Sequence, residues 1–173
     1  MTNGTFRPVR DSDLERLLAL NNAAVPEVNE LHLEDMVWFA HVSHLFLVAD
    51  AFEGPAGFLI GLEGPGLDYQ SLNYQWFSRN YKRFLYVDRV VVDPAWWGRG
   101  IGQGFYGALI ASKDNHVALC AEVNLEPRNV RSLDFHRRFG FSPVGEQDTD
   151  GGRKRVVFLE YPLESGGGSE SVA

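Results

Sequence analysis

Three glycines alternate over five positions in residues 98–102, with Arg99 and Ile101 between them. An apolar, β-branched run ending at Val92 precedes this segment, and an apolar stretch typical of a helix follows it. Glycines let backbone N–H groups approach a ligand without interference from a Cβ atom. The N-terminus of a helix adds roughly half a positive charge. The segment is therefore chemically suited to hold a pyrophosphate.

Two other kinds of phosphate-binding loop fit this segment less well. A Walker A loop needs Lys and then Ser or Thr after its last glycine, and neither is present here. Residues 102–107 spell the G-x-G-x-x-G of a dinucleotide fold, with Glu122 twenty residues beyond Gly102. That fold ends its strand immediately before the first glycine, whereas Val92 lies ten residues before Gly102. Glycines that serve only a tight turn are the remaining alternative.

The residues around these glycines resemble a known family. The stretch VVVDPAWWGRGIG, residues 90–102, is similar to the acyl-CoA-binding signature of the GCN5-related N-acetyltransferase (GNAT) superfamily, whose core pattern is Q/R-x-x-G-x-G/A. Gly100 and Gly102 match this pattern, and residues 98–99 fit the Gly-Arg or Gly-Lys that commonly precedes it. Trp97 departs from the pattern, because Gln or Arg is usual at its position.

A second stretch supports the same resemblance. Residues 129–141, NVRSLDFHRRFGF, resemble the family pattern N-x-x-A/S-x-x-F-Y-x-x-x-G-F. His136 stands where the family usually has Tyr. The two stretches also occur in the order and at the separation that the family shows. The residues that match in spacing are Asn129, Ser132, Phe135, Gly140 and Phe141.

The resemblance implies a GNAT-like fold and transfer of an acetyl group from acetyl-CoA to a primary amine of a small molecule or peptide by direct attack. It implies that Val90, Val91 and Val92 bind the pantetheine and the thioester carbonyl through their backbone N–H groups. A non-catalytic acyl-CoA-binding or regulatory module is the alternative that the departures from the pattern keep open. The other cofactor-binding residues that the resemblance implies are Trp97, Gly98, Arg99, Gly100, Ile101, Gly102, Asn129 and Phe135.

Amine acetylation requires a base, because an ammonium group of unperturbed pKa about 10 must lose a proton before it attacks. Asp88 is the only acid inside the strand that precedes the glycines. Relatives often place Glu or Asp there, so Asp88 is predicted to be the base. A structural ion pair with the adjacent Arg89 is the alternative role for Asp88. Glu122, on a neighbouring predicted strand, is the second candidate for the base.

His136 occupies the position at which relatives use Tyr to protonate the coenzyme A sulfur. An imidazolium can donate a proton and titrates near neutrality, so His136 is predicted to be the acid. A helix histidine that only packs beside the cofactor is the alternative. Tyr106 and Tyr86 carry other hydroxyl groups that can reach a thiolate. Cys120 is predicted to be a small buried strand residue and not a nucleophile.

The elements that must position these residues are short strands and helices. Antiparallel strands followed by a β-α-β-α-β succession predict an α+β domain, residues 1–163, with a mixed, mostly antiparallel sheet flanked by helices. The low-complexity tail, residues 164–173, is predicted to be disordered. The predicted strands lie near residues 6–9, 45–49, 57–62, 84–92, 117–123, 141–146 and 155–161, and the predicted helices near 14–25, 33–41, 101–113 and 128–139.

The aromatic and polar segment 64–83 receives no element in this prediction. Its rings either line the pocket for a cationic acceptor or form the contact of a possible homodimer. The histidines outside the second motif show no metal-ligand spacing supported by further ligands, so no metal site is predicted.

Composition excludes several other classes of function. The 173 residues include 16 basic and 23 acidic ones, and the net charge of −7 is interspersed along the chain. No dedicated nucleic-acid surface is therefore expected. The single cysteine excludes an internal disulfide and favours a reducing compartment. Without a signal-peptide-like stretch or 18 successive apolar residues, the chain is expected to be cytoplasmic and not bound to a membrane.

Overall fold

One seven-stranded sheet organises the computed structural model of the chain, which describes residues 5–164. Of the tail predicted to be disordered, only Glu164 is among the described residues, and the remainder lies outside them. The strands are β1 (Thr5–Pro8), β2 (Leu45–Ala51), β3 (Gly54–Gly64), β4 (Phe84–Val92), β5 (Ala118–Glu126), β6 (Ser142–Thr149) and β7 (Lys154–Pro162). The helices are α1 (Leu14–Ala23), α2 (Leu33–Val42), α3 (Leu72–Asn80), α4 (Ile101–Ala111) and α5 (Val130–Phe139).

The strand order is β1-β2-β3-β4-β5-β7-β6. All neighbouring strands are antiparallel except β4 and β5, which are parallel. A parallel pair needs a crossover connection, and α4 supplies it. The predicted α+β class with a mixed, mostly antiparallel sheet is thereby confirmed.

The parallel pair β4–β5 holds together over only three residue pairs, the last of which joins Tyr86 to Cys120. Beyond these residues β4 continues to pair with β3, and β5 continues to pair with β7. The carboxyl-terminal halves of β4 and β5 therefore diverge. Divergence inside a sheet leaves the facing backbone groups of both strands without a strand partner, and such groups need another hydrogen-bonding partner.

Helices cover both faces of the sheet and create two hydrophobic cores. On one face α1, α2 and α3 bury Leu17, Met36 and Phe77. On the other face α4 buries Phe105 and Leu109, and α5 packs beside it. The divergence of β4 and β5 consequently lies between an α1–α3 layer and an α4–α5 layer.

β4 contains a bulge at Asp88. Ile60 and Gly61, adjacent residues of β3, lie opposite Arg89 and Val87, so Asp88 is an extra residue in β4. A bulge changes the direction of the side chains at that point of a strand. Here the side chains of both Asp88 and Arg89 reach partners in the α1–α3 layer.

α3 lies in the aromatic segment for which no element was predicted. The hydroxyl of Ser71 caps this helix by accepting the backbone N–H of Tyr74 at 3.2 Å. Tyr74 and Phe77 are buried in the core, and Trp76 stacks on Phe158 with ring centroids 4.2 Å apart. Most of these rings therefore pack in the core, a role that was not among the two predicted for this segment, a pocket lining and a dimer contact. The homodimer stays a prediction.

Candidate active site

The diverging half of β4 presents backbone groups to the space that β5 has left. The N–H of Asp93 donates to Ala56 O of β3 at 2.8 Å, and the carbonyl of Val91 also faces β3, since it lies against Gly57. Peptide groups of a strand alternate between its two neighbours. Val90 and Val92 therefore direct their backbone groups to the open side, whereas Val91 does not.

The loop after β4 is held in a defined conformation. The Asp93 carboxylate accepts the N–H of Ala95 at 3.0 Å and caps a single 3₁₀ turn. The indole N–H of Trp97 donates to the carbonyl of Val92 at 2.8 Å. This bond ties the loop to the open side of β4 and leaves the Val92 N–H as the donor there.

Gly98 and Gly100 adopt the left-handed backbone conformation, with φ of +75° and +80°. A Cβ atom at Gly98 would meet no atom within 4 Å, so backbone conformation, and not crowding, explains that glycine. Gly100 is the N-cap of α4, and its carbonyl accepts the first helical bond, from the N–H of Gly104 at 3.0 Å. The N–H groups of residues 101–103 consequently have no acceptor within their own helix. The loop thus has the features of an anion cradle.

The other predicted residues of the loop differ in what they can offer a ligand. Ile101 is 4% exposed, so only its backbone can reach a cofactor. A Cβ atom at Gly102 would lie 3.3 Å from the ring of Phe135, so Gly102 permits close packing of α4 against α5. Arg99 is exposed and lies over the ring of Trp96 at 4.5 Å.

We expect Gly100→Ala to weaken coenzyme A binding by up to about 5- to 30-fold. A left-handed conformation costs a residue with a Cβ atom about 1–2 kcal/mol, so the free loop relaxes away from it and must be restored to it when the ligand binds. Gly107→Ala, in the middle of α4, is the matched control, since a Cβ atom there meets nothing within 4 Å. Calorimetric titration with coenzyme A measures both variants. Equal affinities would contradict the cradle. Gly102→Val is a poor test, because it also displaces Phe135.

The second motif forms α5 and its cap. The side chain of Asn129 accepts the N–H of Ser132 at 3.1 Å and begins the helix. Phe135 is partly buried and packs against Tyr106 with ring centroids 5.2 Å apart. Both residues thus have a structural task in α5, and their contact with a cofactor stays a prediction.

Asp88 is tightly paired. One carboxylate oxygen accepts the hydroxyl of Tyr69 at 2.6 Å, and the other accepts Nε of Arg89 at 2.8 Å. The side chains of Asp88 and Arg89 are only 3% and 7% exposed, and Arg89 also donates to Asn21 at 2.9 Å. The structure contains the ion pair that was the alternative to catalysis. Asp88 as the base stays a prediction.

Glu122 lies on β5 two residues past Cys120, just as Asp88 lies on β4 two residues past Tyr86. Its Oε1 accepts the hydroxyl of Tyr86 at 2.8 Å and the side-chain amide of Asn73 at 3.2 Å. Its Oε2 is closed off from solvent and has no hydrogen-bond partner among residues 5–164, and the same holds for Oδ1 of Asn73. Two buried acceptor atoms of one contact pair thus lack a donor.

Burial raises the pKa of Glu122 to about 8, and the nearby negative charge of Asp88 acts in the same direction. The hydrogen bonds from Tyr86 and Asn73 favour the carboxylate and oppose that shift. A carboxyl group with this pKa exchanges its proton close to neutral pH, as a general base must. No spacing in the sequence pointed to Asn73 or Tyr69, the partners that α3 and the preceding loop bring to these two acids.

His136 is buried between α4 and α5, with 3% exposure. Its Nδ1 lies 2.7 Å from the carbonyl of Ser132, so Nδ1 carries the proton, and Nε2 accepts the hydroxyl of Tyr106 at 2.7 Å. Burial lowers the pKa of His136 and favours the neutral ring. These contacts agree with the packing alternative, and the acid role stays a prediction.

The remaining candidates fit structural tasks. Tyr86 donates its hydroxyl to Glu122, and burial raises its pKa. Cys120 is fully buried on β5, and burial raises the pKa of its thiol, which disfavours a nucleophilic thiolate. Within residues 5–164, no three His, Cys, Asp or Glu residues form a group that could hold a metal ion. No helix in that range is long and apolar enough to cross a membrane.

The glycine loop follows the diverging half of β4, and the Glu122 carboxyl group lies on the diverging half of β5. The sequence profile of the acetyltransferase (GNAT) family matches residues 14–141. The chain therefore belongs to the GNAT family, as the two motifs predicted. Acetyl-CoA as co-substrate is confirmed at the level of this family. A search of curated protein sequences found no match.

Solved structures confirm the fold. The chain is similar to NAA60 from Arabidopsis thaliana in complex with a bisubstrate analogue, with a TM-score of 0.74, 16% identity and coverage of 92% of this chain and 97% of that one. It is also similar to the ribosomal-protein-S18-alanine N-acetyltransferase from Escherichia coli (TM-score 0.71, 16% identity, coverage 98% and 99%). A third similar structure is yncA from Salmonella typhimurium with acetyl-CoA (TM-score 0.69, 17% identity, coverage 98% and 99%).

Proposed function

We propose that the chain transfers an acetyl group from acetyl-CoA to a primary amine of a small molecule or a peptide, by direct attack of the amine on the thioester. The observation that carries this proposal is the position of Glu122. A half-buried carboxyl group with a raised pKa lies on β5 where β4 and β5 diverge, and Val90 and Val92 of β4 direct their backbone N–H groups to the same opening. A module that only binds acyl-CoA has no need for such a carboxyl group.

In the proposed reaction, an ammonium group and the thioester give an amide, coenzyme A thiol and one proton. Glu122 accepts the proton that leaves the ammonium, directly or through a water. The nitrogen then bonds to the carbonyl carbon, while the N–H groups of Val90 and Val92 are the donors for the oxyanion. The C–S bond breaks last. The nitrogen, positively charged after its attack, then loses its second proton to give the amide, the thiolate takes up one proton to give coenzyme A thiol, and Glu122 returns the first proton to solvent. A thiol pKa of about 8.5, as for cysteine, lets the sulfur leave as a thiolate without an acid near that pH.

Glu122 is preferred to Asp88 as the base because of their partners. Asp88 is held by Tyr69 and by the cation of Arg89, and a carboxylate beside a cation is a weak base. Among residues 5–164, Glu122 receives hydrogen bonds from the neutral donors Tyr86 and Asn73 only, and its Oε2 has no partner there. In this proposal Asp88 is a positioning residue that fixes Tyr69 and Arg89 in the α1–α3 layer.

Thiol release distinguishes the proposed enzyme from the binding module. The chain is incubated with acetyl-CoA and a panel of small amines and peptides, and free thiol is measured. Amine-dependent release, with the acetylated amine found by mass spectrometry, supports the proposal. Calorimetric binding of acetyl-CoA without release by any amine would favour the non-catalytic module instead.

The pH dependence of kcat tests the proposed base. Glu122 accepts a proton only as a carboxylate, so kcat rises with pH and reaches half of its plateau at about pH 8. Rates at saturating substrates between about pH 5 and 10 give the curve. A kcat that is flat from about pH 5 upward, as expected for a carboxyl group with the ordinary pKa near 4, would contradict a base with the raised pKa of Glu122.

A further inference from the structure

Arg131 stacks on the cofactor loop. Its guanidinium carbon lies 3.4 Å from the centre of the Trp97 ring. Trp97 is itself fixed, since its indole N–H donates to the carbonyl of Val92 at 2.8 Å. The ring is therefore a rigid platform that joins the end of β4 to the first turn of α5 and holds a cation there.

The position of this cation is unfavourable for α5 alone. Arg131 is the second residue of α5, where the helix dipole is positive and disfavours a cation. No carboxylate among residues 5–164 lies within 4.0 Å of its guanidinium, in a chain with 23 acidic residues. Arg137 shows the ordinary arrangement, because it lies in the last turn and pairs with Asp134 at 3.1 Å. Within the described part of the chain, the charge of Arg131 thus contacts the Trp97 ring but no carboxylate, and it is suited to an anion.

The anion that fits is a phosphate. Trp97 lies directly before the left-handed Gly98 and three residues before Gly100, the N-cap of α4. Through its contact with Trp97, the guanidinium is therefore held next to the loop whose free N–H groups form the proposed cradle. Trp97 also stands at the position where the family signature has Gln or Arg.

We propose that Arg131, held on the ring of Trp97, binds a phosphate group of coenzyme A and replaces the polar side chain that the signature has at position 97. This inference rests on the proposed binding of acetyl-CoA. Two phosphates of the cofactor can supply the chemistry, the pyrophosphate and the 3′-phosphate. A planar guanidinium binds either through paired hydrogen bonds.

Calorimetric titrations of the full chain with coenzyme A and with 3′-dephospho-coenzyme A test the inference. Arg131→Gln should weaken coenzyme A binding about tenfold or more, as expected for a lost charge-assisted hydrogen bond. Arg137→Gln, on the same helix, is the matched control and should bind like the wild type. Both arginines are exposed, and thermal melting verifies that the variants are folded.

The two ligands separate the phosphates. A loss with both ligands assigns the contact to the pyrophosphate, and a loss only with coenzyme A assigns it to the 3′-phosphate. Arg131→Gln within twofold of the wild type, or an equal loss in Arg137→Gln, overturns the inference. A wild-type chain that binds neither ligand contradicts the proposed function instead, so the two failures are distinct.

Discussion

Replacing Glu122 by Gln is expected to lower kcat about 100- to 10,000-fold, the usual contribution of a general base. Glutamine keeps the size of the side chain and an oxygen that can accept the hydroxyl of Tyr86, but it cannot accept a proton from an ammonium group. The affinity for acetyl-CoA should stay within about twofold of the wild-type value, since in this proposal the glycine loop, and not Glu122, holds the cofactor. Steady-state kinetics and calorimetry give the two quantities.

The pH dependence of stability gives a second measurement on Glu122→Gln, one that a damaged fold would not reproduce. The folded protein keeps the Glu122 proton up to about pH 8, whereas the unfolded chain releases it at the ordinary value of 4.5. The wild type therefore loses stability as pH rises through that window, by up to roughly 1.4 kcal/mol per pH unit. Glutamine does not titrate, so the variant lacks this loss. Between pH 5 and pH 9 its free energy of unfolding should therefore fall less than that of the wild type.

Urea unfolding at pH 5 and pH 9 measures this difference. A Glu122→Gln chain that is inactive and also less stable at both pH values has lost its fold, and its kinetics then carry no information. A chain that is stable and keeps kcat within threefold of the wild type contradicts the base assignment.

The sequence predicted those parts of the site that are encoded within short segments. The glycine loop and α5 each depend on neighbours a few residues away. Gly98 and Gly100 adopt the left-handed conformation that the loop needs, and the side chain of Asn129 caps the helix that follows it. Asp88 and Glu122 were found because each lies on a recognisable strand. Their roles were not separable, since that depends on the partners that the fold supplies.

Those partners come from distant parts of the chain. Asn73 reaches Glu122 across 49 residues, and Tyr106 reaches His136 across 30. No local spacing reports such contacts. α3 was missed for a related reason: its buried rings alternate with polar residues such as Asn73, and tertiary packing against the sheet, not the pattern within the segment, stabilises it.

The bulge in β4 determines how the side chains of Asp88 and Arg89 are paired. A regular strand would place Asp88 and Arg89 on opposite faces of the sheet. The extra residue brings both side chains to one face, where their charges pair. Sequence alone could not show that Asp88 pairs with Arg89, because this pairing depends on the register of β3 against β4.

Asp88→Asn distinguishes these roles and is expected to lower the free energy of unfolding by about 3–5 kcal/mol. The change leaves the Arg89 guanidinium buried without its counter-charge, and the hydroxyl of Tyr69 loses a charged acceptor. A loss of this size is a large part of the 5–15 kcal/mol that stabilises a typical domain. Urea unfolding measures it, and kcat is expressed per folded molecule.

The double variant Asp88→Asn/Arg89→Gln keeps the test informative where the single variant folds poorly. Removing both charges leaves no unpaired ion, so the double variant should regain part of the lost stability. If Asp88 is a positioning residue, the folded double variant should also keep the rise of kcat with a midpoint at about pH 8, because Glu122 is intact. An Asp88→Asn chain that unfolds like the wild type but loses 100-fold or more in kcat, about the lower limit for a general base, would assign the base to Asp88. The structure predicts the opposite order of effects, stability first and kcat second, because Asp88 is committed to Arg89 before any substrate arrives.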